Sequence, residues 1–376
     1  MKPGLHRALD ERVGARPWHP RPLLCRFMRV RRALKQCAVA AAAAVLLPAC
    51  GGTPAGTVKP PRPADGSLTG RVGVVVATNS PSLRAHVRGA ADQGVIVLFV
   101  QPDGPAARAG IRIGDVITNI DETPSTNSEL AVVLLRAKPN DTRRLEVVRA
   151  GGARETVRVT ARLPGRVDLR SLYGPLIVDR PDDPVLRFLR ASATDPIGGF
   201  SRAIADLNRA LDVDSRFVEA LSLRAEVRWQ ASRLTTTARA KRTEYARAAL
   251  LDWDAAAKID NRNTRTLVGV AQAFNQVNQT DRARRVAEAA LRVDDRIPAG
   301  YYALGYARWA SGKNVEAAEP ARKAIGLNPF DVRYYELLGS VFRRLDRADD
   351  CRTTINSIVR LLPNSSERQS LLKICG

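Results

Sequence analysis

Histidine is scarce in this chain: 376 residues contain three, His6, His19 and His86. That scarcity argues against a histidine-built metal site and against a nucleophile–histidine–acid triad, and no GxSGG nucleophile loop occurs anywhere. Acidic residues are also in short supply, 38 against 60 Lys and Arg, for a formal charge of +22. Such an excess invites a nucleic-acid reading. Its distribution weakens that reading, because ten basic and only two acidic residues precede position 50 and the later excess is interspersed arginine with no aromatic–basic motif. Long apolar runs are missing too. Cys37 to Leu47 gives about a dozen residues, short of the ~20 that span a bilayer. What is present is 45% hydrophobic residues, enough for folded cores, in a length that suits two or three domains of roughly 100–200 residues.

The segment "MRVRRALKQCAVAAAAAVLLPAC" has a basic head (Arg29, Arg31, Arg32, Lys35), a short apolar core and then Leu47-Pro48-Ala49-Cys50. Head and core follow the secretory signal pattern. The last four residues resemble the lipobox of bacterial lipoproteins, although Pro48 is a less common residue at its position. The resemblance implies cleavage before Cys50, acylation of that cysteine with palmitate-type chains, and a signal region over 1–49. Residues 1–27 push the core far from the start, which points to Met28 as the true first residue. Residues 50–68, "CGGTPAGTVKPPRPADGSL", then form a tether rich in proline and glycine. The other reading of the stretch is an Ala-rich buried helix.

Residues 69–163 carry short β-rich runs, "VIVLFV" and "LEVVRA…ETVRVTARL", bounded by Gly, Pro and Asp. Between them lie a short helix ended by Gly110 and a second helix, "ELAVVLLRAK". The block Pro105-Ala106-Ala107-Arg108-Ala109-Gly110-Ile111 followed by Gly114-Asp115-Val116-Ile117 resembles the PDZ domain of HtrA/Deg-type proteases, with Gly104 where that family has serine. The resemblance implies a small β-barrel with two helices that binds carboxyl termini or extended peptides by strand addition. It assigns the carboxylate loop to Arg71, Val72, Gly73 and Val74, and the facing helix wall to Ser128, Ala131 and Leu135. Leu130 and Leu134 then point to the core, and Asp115 belongs to a turn. Arg71 either meets the carboxylate or is a solvated surface residue.

After a linker at 164–183, a period of 34 emerges over 184–366: Ala283, Ala317 and Cys351; Ala271, Gly305 and Gly339; Ala290, Ala324 and Ile358. Fixed periods of this size mark helical arrays, and the pattern resembles tetratricopeptide (TPR) repeats. It implies four or five helix pairs, the second interrupted by "RLTTTARAKRTE". The groove positions of that family fall on Trp229, Gln272, Asn275, Tyr302, Tyr306, Trp309, Arg343 and Arg344. These either bind a second protein or pack between repeats. Residues 367–376 read as a capping helix. Pro363 is midway between Cys351 and Cys375, so the last two helices set those cysteines side by side, and a disulfide between them is expected, with two free buried thiols as the alternative.

The expected fold is therefore an α+β PDZ domain followed by an all-α TPR solenoid. The expected role is a membrane-anchored adaptor on the extracytoplasmic side of the cell membrane, with an outer-membrane or periplasmic face in a two-membrane cell. Its partners are carboxyl termini or extended peptides of exported proteins and a second protein in the groove, without cofactor, metal, nucleic acid or catalysis. Regulation of a separate envelope protease in trans is the alternative. Expression of Cys50→Ser in the native host tests the anchor: palmitate label is lost from the protein, which moves from the membrane to the soluble fraction.

Overall fold

Strand β1 (Val74–Thr78) alternates its side chains between two cores, and that alternation organises the molecule. In a strand successive residues face opposite sides. Val74 and Val76 enter the interior of a small barrel, while Val75 and Ala77 face outward into a second apolar cluster. Strand β2 (Val95–Val100) pairs antiparallel with β1. Val95 and Val97 lie inside; Ile96, Leu98 and Phe99 lie outside, the last two adjacent because a bulge interrupts the register. The sheet continues through β3 (Val116–Ile120), with β4 (Thr123–Pro124) off its path, to β5 (Thr142–Val148) and β6 (Arg154–Thr160), in the order β1-β2-β3-β5-β6.

We analysed a computed structural model, which describes residues 72–87, 91–137, 140–162, 169–194, 199–234, 237–361 and 367–375. The chain divides into two units, Met1–Lys59 and Pro60–Gly376, and every described residue belongs to the second. The signal region, Cys50, the tether and Arg71 lie outside the described residues.

Three helices belong to the sheet: α1 (Pro81–Arg84), α2 (Pro105–Arg108) and α3 (Ser128–Leu135). Ser80 caps α1 and Asn127 caps α3, each accepting from the amide three residues on. Asp115 accepts from the Arg112 amide and from Arg149. It fixes the turn before β3 and is buried there.

The segment expected as a linker contains α4 (Leu169–Asp179). Tyr173 of α4 packs edge-on against Phe99 at 5.4 Å and is fully buried. Five helix pairs follow: α5 (Pro184–Ser192) with α6 (Phe200–Val213), α7 (Val218–Ala231) with α8 (Arg239–Ile259), α9 (Thr264–Gln276) with α10 (Thr280–Val293), α11 (Pro298–Ala310) with α12 (Asn314–Leu327), and α13 (Val332–Arg344) with α14 (Ala348–Leu361). The architecture of sheet domain and all-α solenoid is the one the sequence leads one to expect. The insertion in the second pair lengthens α8 to 21 residues, where α6, α10, α12 and α14 have 14.

Small residues sit where paired helices cross. A Cβ on Gly305 of α11 would meet the Ala317 carbonyl of its partner α12 at 3.4 Å and Leu337 of the next pair at 3.2 Å, and one on Gly339 would meet Ile355 at 3.0 Å. Ala283, Ala317 and Cys351 are fully buried at equivalent crossings. In the first two pairs the helices are also joined by ions: Asp206 is gripped by Arg190, and Asp252 by both Arg224 and Arg228. A short helix α15 (Arg368–Leu372) closes the array, and Cys351 and Cys375 are bonded across it with Cα atoms 5.8 Å apart.

The helix-crossing argument has a direct test. At Gly269 an added Cβ would lie 2.9 Å from Trp253 Nε1, whereas at Gly326 it would meet nothing within 4 Å. Overpacking costs ~1–3 kcal/mol, while Gly to Ala in a helix gains about 1 kcal/mol. Gly269→Ala therefore lowers, and Gly326→Ala raises, the midpoint of chemical denaturation.

Candidate peptide cleft and the surface that holds it

Gly73 stands at the head of β1 with φ +78°, a conformation that glycine adopts without strain. A Cβ there would come within 3.2 Å of Gln101. The carbonyls of Val72 and Gly73 accept from the amides of Ala106 and Gln101, so the loop is braced by α2 and the residues just before it. Strand β1 ends the sheet, pairing only with β2 among the described strands, and α3 lies beside it. An edge strand flanked by a helix is the arrangement that accepts an added strand.

The wall expected to face a ligand is placed differently. Ala131 and Leu135 are 0% exposed and belong to the barrel core with Val72, Val74 and Val76, each 1% exposed. The three-to-four spacing assigned to a cleft wall is also the spacing of the face that α3 turns to the barrel. With α3 resting on β1, that stripe is core. Ser128 is buried as well, its Oγ 3.0 Å from Thr78 Oγ1, and its amide donates to the same atom. Leu130 is buried and Leu134 is half-buried against the core.

What holds α3 there comes from the helical array. Asn127 uses Oδ1 to cap α3, and its Nδ2 donates to Asp294 at 2.8 Å and to the Arg296 carbonyl at 3.1 Å. Glu129, in the first turn of α3, accepts from Tyr334 Oη at 2.6 Å, the Ala299 amide at 3.2 Å and Asn328 Nδ2 at 3.4 Å. Arg136 at the other end lies 4.1 Å over the Phe330 ring. On the α1 side, Ser80 caps α1 and donates to Glu219 of α7, while Ser82 accepts from the Val218 amide at 2.9 Å. The His86 ring meets Phe217 at 4.6 Å. Behind these contacts, Val75, Ala77, Leu83 and Phe99 share one apolar cluster with Phe188, Leu207, Phe217 and Leu221.

Of the expected groove residues, Trp229 is buried, donating to Gln276 at 2.7 Å and packing on Trp253. Asn275 is buried and donates to the Ala303 carbonyl at 2.8 Å. These two are engaged between repeats. Gln272, Tyr302, Tyr306 and Trp309 are half-buried; the three aromatics run as a ladder along α11, with centroids 6.1 and 5.3 Å apart. Arg343 and Arg344 are exposed, and the Arg344 guanidinium lies 4.2 Å over Trp309. Among the described residues, no group of three or more His, Cys, Asp or Glu is arranged to hold a metal, and no helix is long and apolar enough to cross a membrane.

Sequence reasoning singled out none of Ser80, Ser82, Asn127, Glu129, Glu219 or Tyr334. A signal existed. The first helices α5, α9 and α13 carry side-chain caps of their own from Asp183, Asn263 and Asp331, but Phe217 and Ile297 precede α7 and α11 and offer none.

Residues 70–161 match the family model of the PDZ domain. The chain is 35% identical over 89 residues to a "Probable periplasmic serine endoprotease DegP-like" of Halomonas elongata, covering 23% of this chain and 19% of that one. It is 30% identical over 121 residues to the "Magnetosome formation protease MamE" of Paramagnetospirillum magneticum, covering 31% and 16%. The chain thus spans about a fifth of the length of the curated relatives it matches. A tetratricopeptide repeat protein of Parabacteroides merdae aligns over 55% of this chain and 76% of its own, with 17% identity and a TM-score of 0.45. Residues 70–161 thus match a PDZ domain, and the helix pairs that follow it stack as a solenoid.

Burial raises the carboxyl groups of Glu129 and Glu219 above their ordinary value of 4.5, against the lowering effect of the Tyr334 and Ser80 hydroxyls. A raised folded-state value means that the folded chain binds more protons than the unfolded one, so stability falls as pH rises through that value. Replacing both by Gln flattens this fall as pH rises above about 4.5, measured as the urea midpoint at successive pH values.

Proposed function

We propose that the chain is a non-catalytic adaptor lipoprotein, held to the extracytoplasmic side of a membrane through Cys50. Its PDZ domain takes carboxyl-terminal or extended peptides of exported proteins, and its array engages a second protein. The observation that carries this reading is the loop Val72-Gly73-Val74 at the head of an edge strand beside a helix. Backbone amides at such a loop suit a terminal carboxylate, and the strand edge supplies main-chain pairing. The Cys351–Cys375 bond accords with an oxidising compartment. The periplasmic naming of the curated relatives accords with it too. On the array, the ladder Tyr302, Tyr306 and Trp309 with Arg343 and Arg344 has the aromatic and arginine composition of protein-binding hot spots.

A second reading, regulation of a separate envelope protease in trans, draws on the match between this PDZ domain and the PDZ region of DegP-like proteases. In that case the captured segment belongs to the protease or its substrate, and the protease's turnover changes when this chain is added.

Titration of the full chain with a fluorescent decapeptide ending in an apolar residue tests the adaptor reading. A free terminal carboxylate binds about tenfold more tightly than the amidated peptide, the difference expected of a charge-assisted hydrogen bond. Gly73→Val abolishes the preference. Equal binding of the two peptides counts against the assigned loop.

A further inference from the structure

The cleft assigned to peptide is filled by the protein itself. Val72, Val74 and Val76 from the strand side and Ala131 and Leu135 from the helix side are core, so none of these five is open to a ligand, while Val132, Val133 and Leu134 of α3 are half-buried. Thr78 and Ser128 join the two elements at one end. A strand added to β1 places alternate side chains in that space, so α3 must move away from β1 before a peptide enters.

The two walls are fastened to different parts of the array. Strand β1 and helix α1 are fixed to its first two units, through Val75, Ala77 and Leu83 in the cluster with Phe188 and Phe217, and through Ser80 and Ser82 at the start of α7. Helix α3 is fixed to units four and five, through Asn127 to the turn before α11, Glu129 to Ala299, Asn328 and Tyr334, and Arg136 to Phe330. The third unit, α9 and α10, lies between these attachments. A change of curvature across units two to four alters the distance between the anchors, and the anchors carry the walls of the cleft.

Resting on the adaptor reading of β1 and α3, we propose that the repeat array is the gate of the PDZ cleft: it holds the cleft closed in this arrangement, and partner binding along the array opens it by moving α3 from β1. Because coupling between sites is reciprocal, a peptide in the cleft raises the array's affinity for that partner by the same factor.

Hydrogen–deuterium exchange of the full chain tests the gate without a known ligand. In Asn127→Ala/Glu129→Ala, amides of 74–78 and 128–135 exchange about tenfold faster than in the parent, a coupling of ordinary size, while helices α5 to α14 keep their protection. Unchanged exchange in β1 overturns the proposal. If the double variant loses its cooperative melt, Tyr334→Phe, which removes one hydroxyl, decides by the same criterion. The fluorescent decapeptide separates this proposal from the adaptor reading. Faster exchange with binding to neither chain leaves the gate standing and removes the peptide reading. Unchanged exchange with equal binding to both does the reverse.

Discussion

An α-helix begins with four amides that have no partner within the helix. In this array three of the five first helices solve that problem themselves, with Asp183, Asn263 or Asp331 at the cap. The other two begin behind Phe217 and Ile297, apolar residues with nothing to accept a hydrogen bond. Their acceptors come from the PDZ domain: Ser82 for the Val218 amide of α7 and Glu129 for the Ala299 amide of α11. A cap contributes about 1 kcal/mol, and a carboxylate at a helix amino end also meets the positive end of its dipole. The array is thus locally incomplete at two places, and the domain that completes it is the one before it in sequence. Phe217 gains in exchange: it is fully buried in the shared cluster and meets His86 and Phe188.

The caps of the sheet domain are used twice. Ser80 and Asn127 each satisfy their own helix and, with a second atom or a second bond, reach the array. A hydroxyl can donate and accept at once, and a carboxamide carries both kinds of group, so one residue defines a local turn and a distant contact together. Glu219 mirrors this from the array, accepting from Ser80 and from Asn263, itself the cap of α9. At this seam Glu219 is buried and Glu129 half-buried, and among the described residues neither has a cationic partner within salt-bridge distance. Burial of this kind weakens a carboxylate as an acid.

The period of 34 was legible because it rests on sterics: helices starting at Thr264, Pro298 and Val332 are spaced at that interval, and the crossings admit only small residues. The insertion was legible as length and became extra turns of α8. Helix α4 was not, because a linker assignment follows composition, whereas Tyr173 and Ile177 form a helix that buries its apolar face on Phe99 and its neighbours. The burial of Ala131 and Leu135 was not legible for a related reason. Alanine and leucine at helical spacing mark an apolar face without saying whether a ligand or the barrel covers it. Contacts between Glu129 and Tyr334 span 205 residues, a separation at which no local pattern operates; the uncapped starts of α7 and α11 were the only trace of them in the sequence.

Magnitudes indicate which of the two attachments yields. Full burial of a Val, Leu, Ile or Phe side chain stabilises by roughly 1.5–3 kcal/mol, and the outer face of β1 and β2 commits Val75, Ile96, Leu98 and Phe99 to the shared cluster. A hydrogen bond contributes a net ~0.5–1.5 kcal/mol. The hold on α3 consists of five such bonds and one cation–ring contact, offset by the desolvation of Glu129 that its raised carboxyl reports. The strand side is therefore the fixed side and the helix side the releasable one. Strong apolar fastening of the strand with weaker polar fastening of the helix is the distribution a cleft needs if its width is to change while the two domains stay joined.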